Sequence, residues 1–298
     1  MKGLIVALSC GVYSVSSEGV IYNLTARGVF RNQGVKPMVG DEVEFNPDTM
    51  VIGVIYPRRS ALKRPPIANI SQIILVFSLK EPEFSYHLAF KYLTYANMNG
   101  IKANLVLTKI DKNADESLIK EIKEVFSSVR TKTYFVSNKT KEGLEEVKAL
   151  FNNEISCVMG QTGVGKSSLI NAIDENYERE IGEYSTALGR GKHRTKEVVL
   201  LPYQGGYIAD TPGFSSLELD LFKEDLAVFF PSFNNLFNKC YYTNCLHVSE
   251  NKCAVKEKIN EGQISKKAYE CYLKLLDEAI FKKERFNRWK TSLYLQVS

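Results

Sequence analysis

The stretch Gly160-Gln161-Thr162-Gly163-Val164-Gly165-Lys166-Ser167 lies between an apolar run, Ile155 to Val158, and an amphipathic pattern from Lys166 to Ile173. It reads as strand, loop and helix. The loop fills every constrained position of Gly-x4-Gly-Lys-Ser. In that pattern the glycines let backbone N–H groups close around phosphate oxygens at a helix N-terminus. Lys166 adds a positive charge at the β- and γ-phosphates, and Ser167 offers a hydroxyl to Mg²⁺. Gly160 to Ser168 are therefore candidate nucleotide-binding residues, with Lys166 also a candidate in catalysis.

Working outward, nearly continuous apolar runs recur at Gln72 to Leu79, Ala103 to Leu107, Thr133 to Val136 and Tyr207 to Ala209. Such runs suit parallel strands buried on both faces. Helical patterns at Tyr86 to Met98, Glu116 to Val129 and Glu142 to Phe151 separate several of them, which predicts a doubly wound α/β domain over 65–220. Asp210-Thr211-Pro212-Gly213 closes a second buried strand. There Asp210 would hold Mg²⁺ through water, and the Gly213 N–H would face the γ-phosphate.

Two further loops follow predicted strands. Thr108-Lys109-Ile110-Asp111 resembles the guanine-reading box of GTPases, in which the carboxylate, here Asp111, accepts from the ring N–H and exocyclic amine of guanine and the lysine stem covers the base. Adenine offers no such pair of donors, so the contact favours GTP over ATP by a few kcal/mol. Ser137-Asn138-Lys139 resembles the last GTPase box, whose backbone N–H groups support the guanine carbonyl. Gly189-Arg190-Gly191-Lys192-His193-Arg194-Thr195 has the look of a first switch, with Thr195 placed to close on Mg²⁺. The order along the chain is base, base, phosphate loop, switch and Asp-x-x-Gly, whereas an ordinary GTPase begins with the phosphate loop. The sequence is circularly permuted, a rearrangement that domains tolerate because their ends lie close together.

Residues 1–64 differ in character. Strand-like runs at Leu4 to Val15, Val20 to Ala26, Asp41 to Phe45 and Val51 to Tyr56, with turn residues between, predict a small OB-type β-barrel, a fold that often binds oligonucleotides. Arg58 to Pro66 reads as a basic linker stiffened by its prolines. In 221–298 strands give way to helical patterns, among them Ile264 to Phe281, preceded by Cys240-x4-Cys245-x-His247-x5-Cys253. Three thiolates and one imidazole make a closed tetrahedral site for one structural Zn²⁺. Cys271 falls outside that cluster and is expected in the core.

Of the 298 residues, 44% are apolar and 24% charged, ordinary values that exclude a disordered or collagen-like chain. The +5 net charge is unevenly spread: Lys and Arg outnumber Asp and Glu 8 to 5 in 1–64 and 12 to 7 in 239–298, but trail 19 to 22 between them. A slightly acidic centre with basic flanks suits docking on a polyanion. No run approaches the ~18 apolar residues of a membrane span. The clustered cysteines fit a reducing compartment, so a cytoplasmic protein with no membrane partner is expected.

Together, the permuted boxes, the barrel and the zinc spacing resemble the bacterial ribosome small-subunit-dependent GTPase family over nearly the whole chain. The resemblance implies a GTP/GDP-binding late assembly factor whose barrel and zinc domain contact ribosomal RNA and whose turnover rises on the small subunit; we expect a monomer. It also implies a role for His193. Phe214 stands after Asp-x-x-Gly, where many GTPases carry the glutamine that orients water, and His193 matches a family histidine proposed for that task. Arg194 departs from a frequent family threonine, leaving Thr195 as the Mg²⁺ candidate of the switch. The alternative is a nucleotide-gated RNA-binding module in which hydrolysis is incidental.

Overall fold

A computed structural model describes residues 1–9, 11–28, 30, 36–112, 116–175, 198–210, 221–233, 236 and 238–280. The contacts divide the chain into two compact units. One comprises Met1–Glu83, Asn99–Lys112 and Tyr134–Ser216; the other comprises Phe84–Met98, Asn113–Thr133 and Leu217–Ser298.

The first unit begins with the barrel. Strands β1 (Lys2–Ser9), β2 (Val12–Ser17), β3 (Val20–Ala26), β4 (Glu42–Asn46) and β5 (Val51–Ile55) pair in the order β1-β2-β3-β5-β4, and β4 returns to β1. The ring closes with β3 and β5 parallel and the other pairs antiparallel. Closure leaves no free edge within the barrel. Its interior is filled by Ile5, Val15, Leu24, Val43, Phe45 and Ile52. The run read as one strand from Leu4 to Val15 is two, because Gly11 takes φ +84°, a left-handed turn conformation that costs glycine little.

Nor is the segment after the barrel a free linker. Strands β6 (Ala61–Lys63) and β7 (Pro66–Ala68) form a hairpin with Leu62 and Ile67 buried. Arg58 donates from Nε and Nη2 to the two carboxylate oxygens of Asp41, at 2.7 and 2.8 Å, and Asn69 Nδ2 donates to Gly40 O at 2.9 Å. Sequence composition could not reveal this, because the partners lie some distance away along the chain. The Asp41 side chain is fully buried whereas that of Arg58 is 28% exposed. Removing the arginine would strand a buried carboxylate. Arg58→Ala is therefore expected to destabilise the barrel by about 3 kcal/mol, the low end for such a pair. Chemical denaturation of the whole chain measures this; an unchanged midpoint would show that the pair contributes no net stability.

The α/β sheet continues from the barrel. Its order is β10 (Thr133–Phe135), β9 (Lys102–Thr108), β8 (Gln72–Ser78), β11 (Ile155–Met159), β13 (Gly206–Asp210) and β12 (Val199–Tyr203), after which β12 pairs with β1. Strands β9, β8, β11 and β13 run parallel, so their carboxyl ends share one edge. Every residue of β8 is buried, the five apolar residues Ile73 to Phe77 and the polar Gln72 and Ser78 that flank them. By contrast β10 is half-buried, because it occupies the sheet edge. Strand β12, antiparallel to β13, has no counterpart in the sequence reading.

The helices Tyr86–Met98 and Lys166–Ile173 match the sequence patterns, whereas two others are shorter than expected, at Glu116–Val125 and Leu144–Ala149. Tyr86–Met98 and Glu116–Val125 belong to the second unit, with Lys223–Phe229, Ala254–Asn260 and Lys266–Glu278. That unit is built on stacked aromatic rings. Phe90 stacks on Phe126 and Phe230 at 5.0 Å each, and Phe233 meets Tyr272 edge-on at 4.8 Å. Cys271 is buried on the helix Lys266–Glu278, as expected. Among the described residues no helix is long and apolar enough to cross a membrane.

Candidate functional site

The loop after β11 is shaped by its glycines. A Cβ on Gly160 would stand 2.1 Å from the Val76 carbonyl oxygen, so only glycine permits the loop to leave the sheet so close to β8. Gly165, at φ +92°, sits at the N-terminal boundary of the helix Lys166–Ile173. Val164 is buried in the core of the sheet and pins the loop from beneath. Lys166 Nζ donates to the carbonyls of Gly160 and Gln161 at 2.7 Å each, which draws the ammonium across the mouth of the loop. Burial lowers its pKa. Ser167 and Ser168 follow on the first helical turn with exposed side chains.

Two distant segments of sequence close on this loop. Thr108 ends β9 and is completely buried; its hydroxyl donates to Val164 O at 2.6 Å and lies 3.2 Å from Phe77 O. Lys109 Nζ donates to Gly163 O at 2.8 Å and to the Glu81 carbonyl. The Ser137 hydroxyl donates to Asp111 Oδ1 at 2.7 Å while accepting the N–H groups of Lys139 and Thr140. That hydrogen bond, the largest cause, holds the Asp111 carboxyl below its usual range. Ile110 N–H donates to Val136 O, tying the two loops together. Asn138 Nδ2 reaches Gly165 O at 3.4 Å. The two base-box segments and the phosphate loop, separate in sequence, thus share one sheet edge, where a doubly wound fold places its ligand.

Asp210 ends β13 beside the phosphate-loop strand, with Ala209 opposite Cys157. Gly213, His193, Arg194, Thr195 and Phe214 lie outside the described residues. Sequence reasoning missed the loop after β8, where Glu81 pairs with Lys112 and its carbonyl takes the Lys109 ammonium. The rule that loops at the carboxyl ends of parallel strands line the site would have flagged it.

In the second unit Cys240, Cys245, His247 and Cys253 bring their ligand atoms within 4.8 Å of one another. His247 Nδ1 lies 3.5 Å from Cys240 Sγ and 3.4 Å from Cys253 Sγ, and those two sulfurs are 3.9 Å apart. Zinc bond lengths set tetrahedral edges of about 3.6 Å for N to S and about 3.8 Å for S to S. The cluster could therefore hold one such ion. His247 Nε2 is 3.4 Å from Ala227 O, and this backbone partner leaves Nδ1 as the ligand atom. Glu250 accepts the N–H groups of Leu246 and Val248, while Tyr272 and Tyr269 donate to the carbonyls of Leu246 and His247.

A model of the RsgA GTPase family matches residues 55–220, and one of the RsgA N-terminal domain matches 2–55. The chain belongs to the RsgA GTPase family. A relative in Halalkalibacterium halodurans named small ribosomal subunit biogenesis GTPase RsgA is 41% identical over 283 residues, covering 93% of this chain and 96% of the relative. One of the same name in Caldanaerobacter subterraneus is 40% identical, covering 96% and 98%. The crystal structure of YjeQ from Thermotoga maritima superposes with a TM-score of 0.79 at 34% identity, covering 93% of this chain and 97% of that one. The crystal structure of YloQ, described as a circularly permuted GTPase, gives 0.76 at 33%, with 93% and 94% coverage. The order of boxes in this chain is that of a circularly permuted GTPase, with an OB-type barrel before it and the Cys₃His cluster after it.

Proposed function

We propose that this RsgA-family GTPase hydrolyses GTP as a late maturation factor of the small ribosomal subunit. The observation that carries this is the convergence of Thr108, Asp111, Ser137 and the 160–167 loop on one sheet edge, supported by relatives named for small-subunit biogenesis. The phosphate loop and Lys166 would hold the triphosphate, and Asp111 would select guanine. Ser167, Thr195 and, through water, Asp210 would hold Mg²⁺, which supplies charge neutralisation at the phosphates when bound. The Cys₃His cluster would hold one structural zinc ion. Three modules divide the work: the barrel of 1–64 contacts ribosomal RNA, 65–220 hydrolyses GTP, and 221–298 carries the zinc. The protein would act in the cytoplasm as a monomer.

Phosphate release from GTP, with and without purified small subunits, tests the assignment. Stimulation by the subunit is the expected result, and its absence would count against a ribosomal role. His193 would orient the attacking water that Phe214 cannot hold. His193→Ala is expected to lower turnover by about 10²-fold or more while GTP-dependent subunit binding persists. Unchanged turnover would remove His193 from the chemistry. If hydrolysis proved slow and insensitive to the subunit while binding still required GTP, the RNA-binding-module reading would be favoured instead.

A further inference from the structure

Thr108 stands where the guanine-reading box usually has asparagine, and its single hydroxyl hydrogen is engaged. The hydroxyl lies 2.6 Å from Val164 O, with Phe77 O a second acceptor at 3.2 Å. It has no hydrogen left for a base. Guanine, however, presents two edges. Its ring N–H and amine face a carboxylate, while its O6 and N7 are acceptors that need donors. The second edge therefore lacks a side-chain donor from the Thr108 box.

Asn138 is placed to supply one. It follows Ser137, the residue bonded to the Asp111 carboxylate, and its amide extends to the phosphate loop. Nδ2 makes one long bond, 3.4 Å to Gly165 O, and has a second hydrogen to offer. Oδ1 is buried with no hydrogen-bond partner among the described residues. Turning the amide over would set Oδ1 against the Gly165 carbonyl, oxygen to oxygen, so the orientation with nitrogen toward the loop is the favourable one. A base held by Asp111 and joined to phosphates at Gly163 to Ser168 would turn its N7 side toward the loop, where this amide stands.

We infer that the Asn138 side-chain amide donates to guanine N7, the contact that Thr108 cannot make. The inference rests on the nucleotide site proposed above and adds a base contact to it. The specificity element is thus divided: Thr108 fastens the box to the phosphate loop, and Asn138 reads the imidazole edge of the base.

Equilibrium binding of GDP and 7-deaza-GDP, which carries C–H in place of N7, tests this on the full-length protein. The wild type is expected to bind the deaza analogue about three- to tenfold more weakly, the range for one neutral hydrogen bond. Asn138→Ala should weaken GDP by a similar factor and abolish the difference between the two ligands. Thr108→Val should weaken both ligands alike and keep the difference. Asn138→Ser, with a shorter side chain that cannot span to N7, provides a second variant should the alanine protein fold poorly. A deaza penalty that survives in the Asn138 variants, or its absence in the wild type, overturns the inference. Equal affinity for GDP and ADP in the wild type would overturn the guanine site itself, a failure distinct from the first.

Discussion

If the knuckle of residues 240–253 holds zinc as proposed, replacing Cys245 by serine is expected to abolish that binding and to unfold the segment, leaving the aromatic core beneath it standing. The knuckle has little apolar interior of its own. Tyr241, Tyr242 and Val248 are exposed, and its fixed points are the four ligand side chains, Glu250 and two tyrosine hydroxyls. Burial pushes the Cys245 thiol up to about 12, whereas a bound Zn²⁺ would hold it as the thiolate. Ion binding would thus supply the free energy that packing does not, of order 10 kcal/mol for zinc-organised segments. The helices differ: Phe90, Phe126, Phe230, Phe233 and Tyr272 pack ring on ring, and although Phe233 and Tyr272 also meet the His247 ring, at 5.2 and 6.2 Å, the stack does not run through the ligand. The variant should therefore lose its zinc by elemental analysis and gain protease cleavage between 240 and 253, with most of its helical circular dichroism retained. Full zinc stoichiometry in the variant would contradict the ligand set. Global loss of helix would show that the core depends on the knuckle.

The same contrast explains what the sequence made legible. The phosphate loop could be read because its chemistry is local: Gly160, Gly165, Lys166 and Ser167 act within eight consecutive residues, so their spacing carries the whole signal. The cysteine cluster is equally compact. The largely apolar β8 and β11 were visible because burial on both faces removes most polar residues from the sequence. What escaped depends on partners far along the chain. Nothing in Arg58 to Pro66 announces Asp41, and Pro202 within β12 weakens any strand pattern there. Likewise, the faces of Tyr86–Met98 and Glu116–Val125 show amphipathicity but not which core receives them, and the contacts place both with the C-terminal helices. Within the site, the base boxes were readable as motifs, while the bond from Thr108 to Val164 that fastens them to the phosphate loop required the fold.

Asp111→Asn is expected to reverse base preference, and the Ser137 hydroxyl decides the direction. Ser137 Oγ accepts the N–H groups of Lys139 and Thr140, so its own hydrogen points to Asp111 Oδ1. In the asparagine variant this hydrogen would hold the amide with its oxygen toward Ser137. With that oxygen on the ring N–H, the amide nitrogen would take the other carboxylate position and face the substituent at C2 of the base. Guanine has an amine there, and two donors would meet. Xanthine has a carbonyl, which accepts. GTP should therefore bind about 10²-fold more weakly, the loss of a charge-assisted pair plus an unpaired donor, while xanthosine triphosphate gains affinity. The pH dependence follows the same group. Because hydrogen bonding holds the Asp111 carboxyl below its usual range, guanine binding should be flat through neutral pH and decline only as pH falls through that lowered value. The variant, with no proton to gain, should lack this acid limb. Titrations with both nucleotides across pH measure the two effects together, and unchanged GTP affinity would remove Asp111 from base recognition.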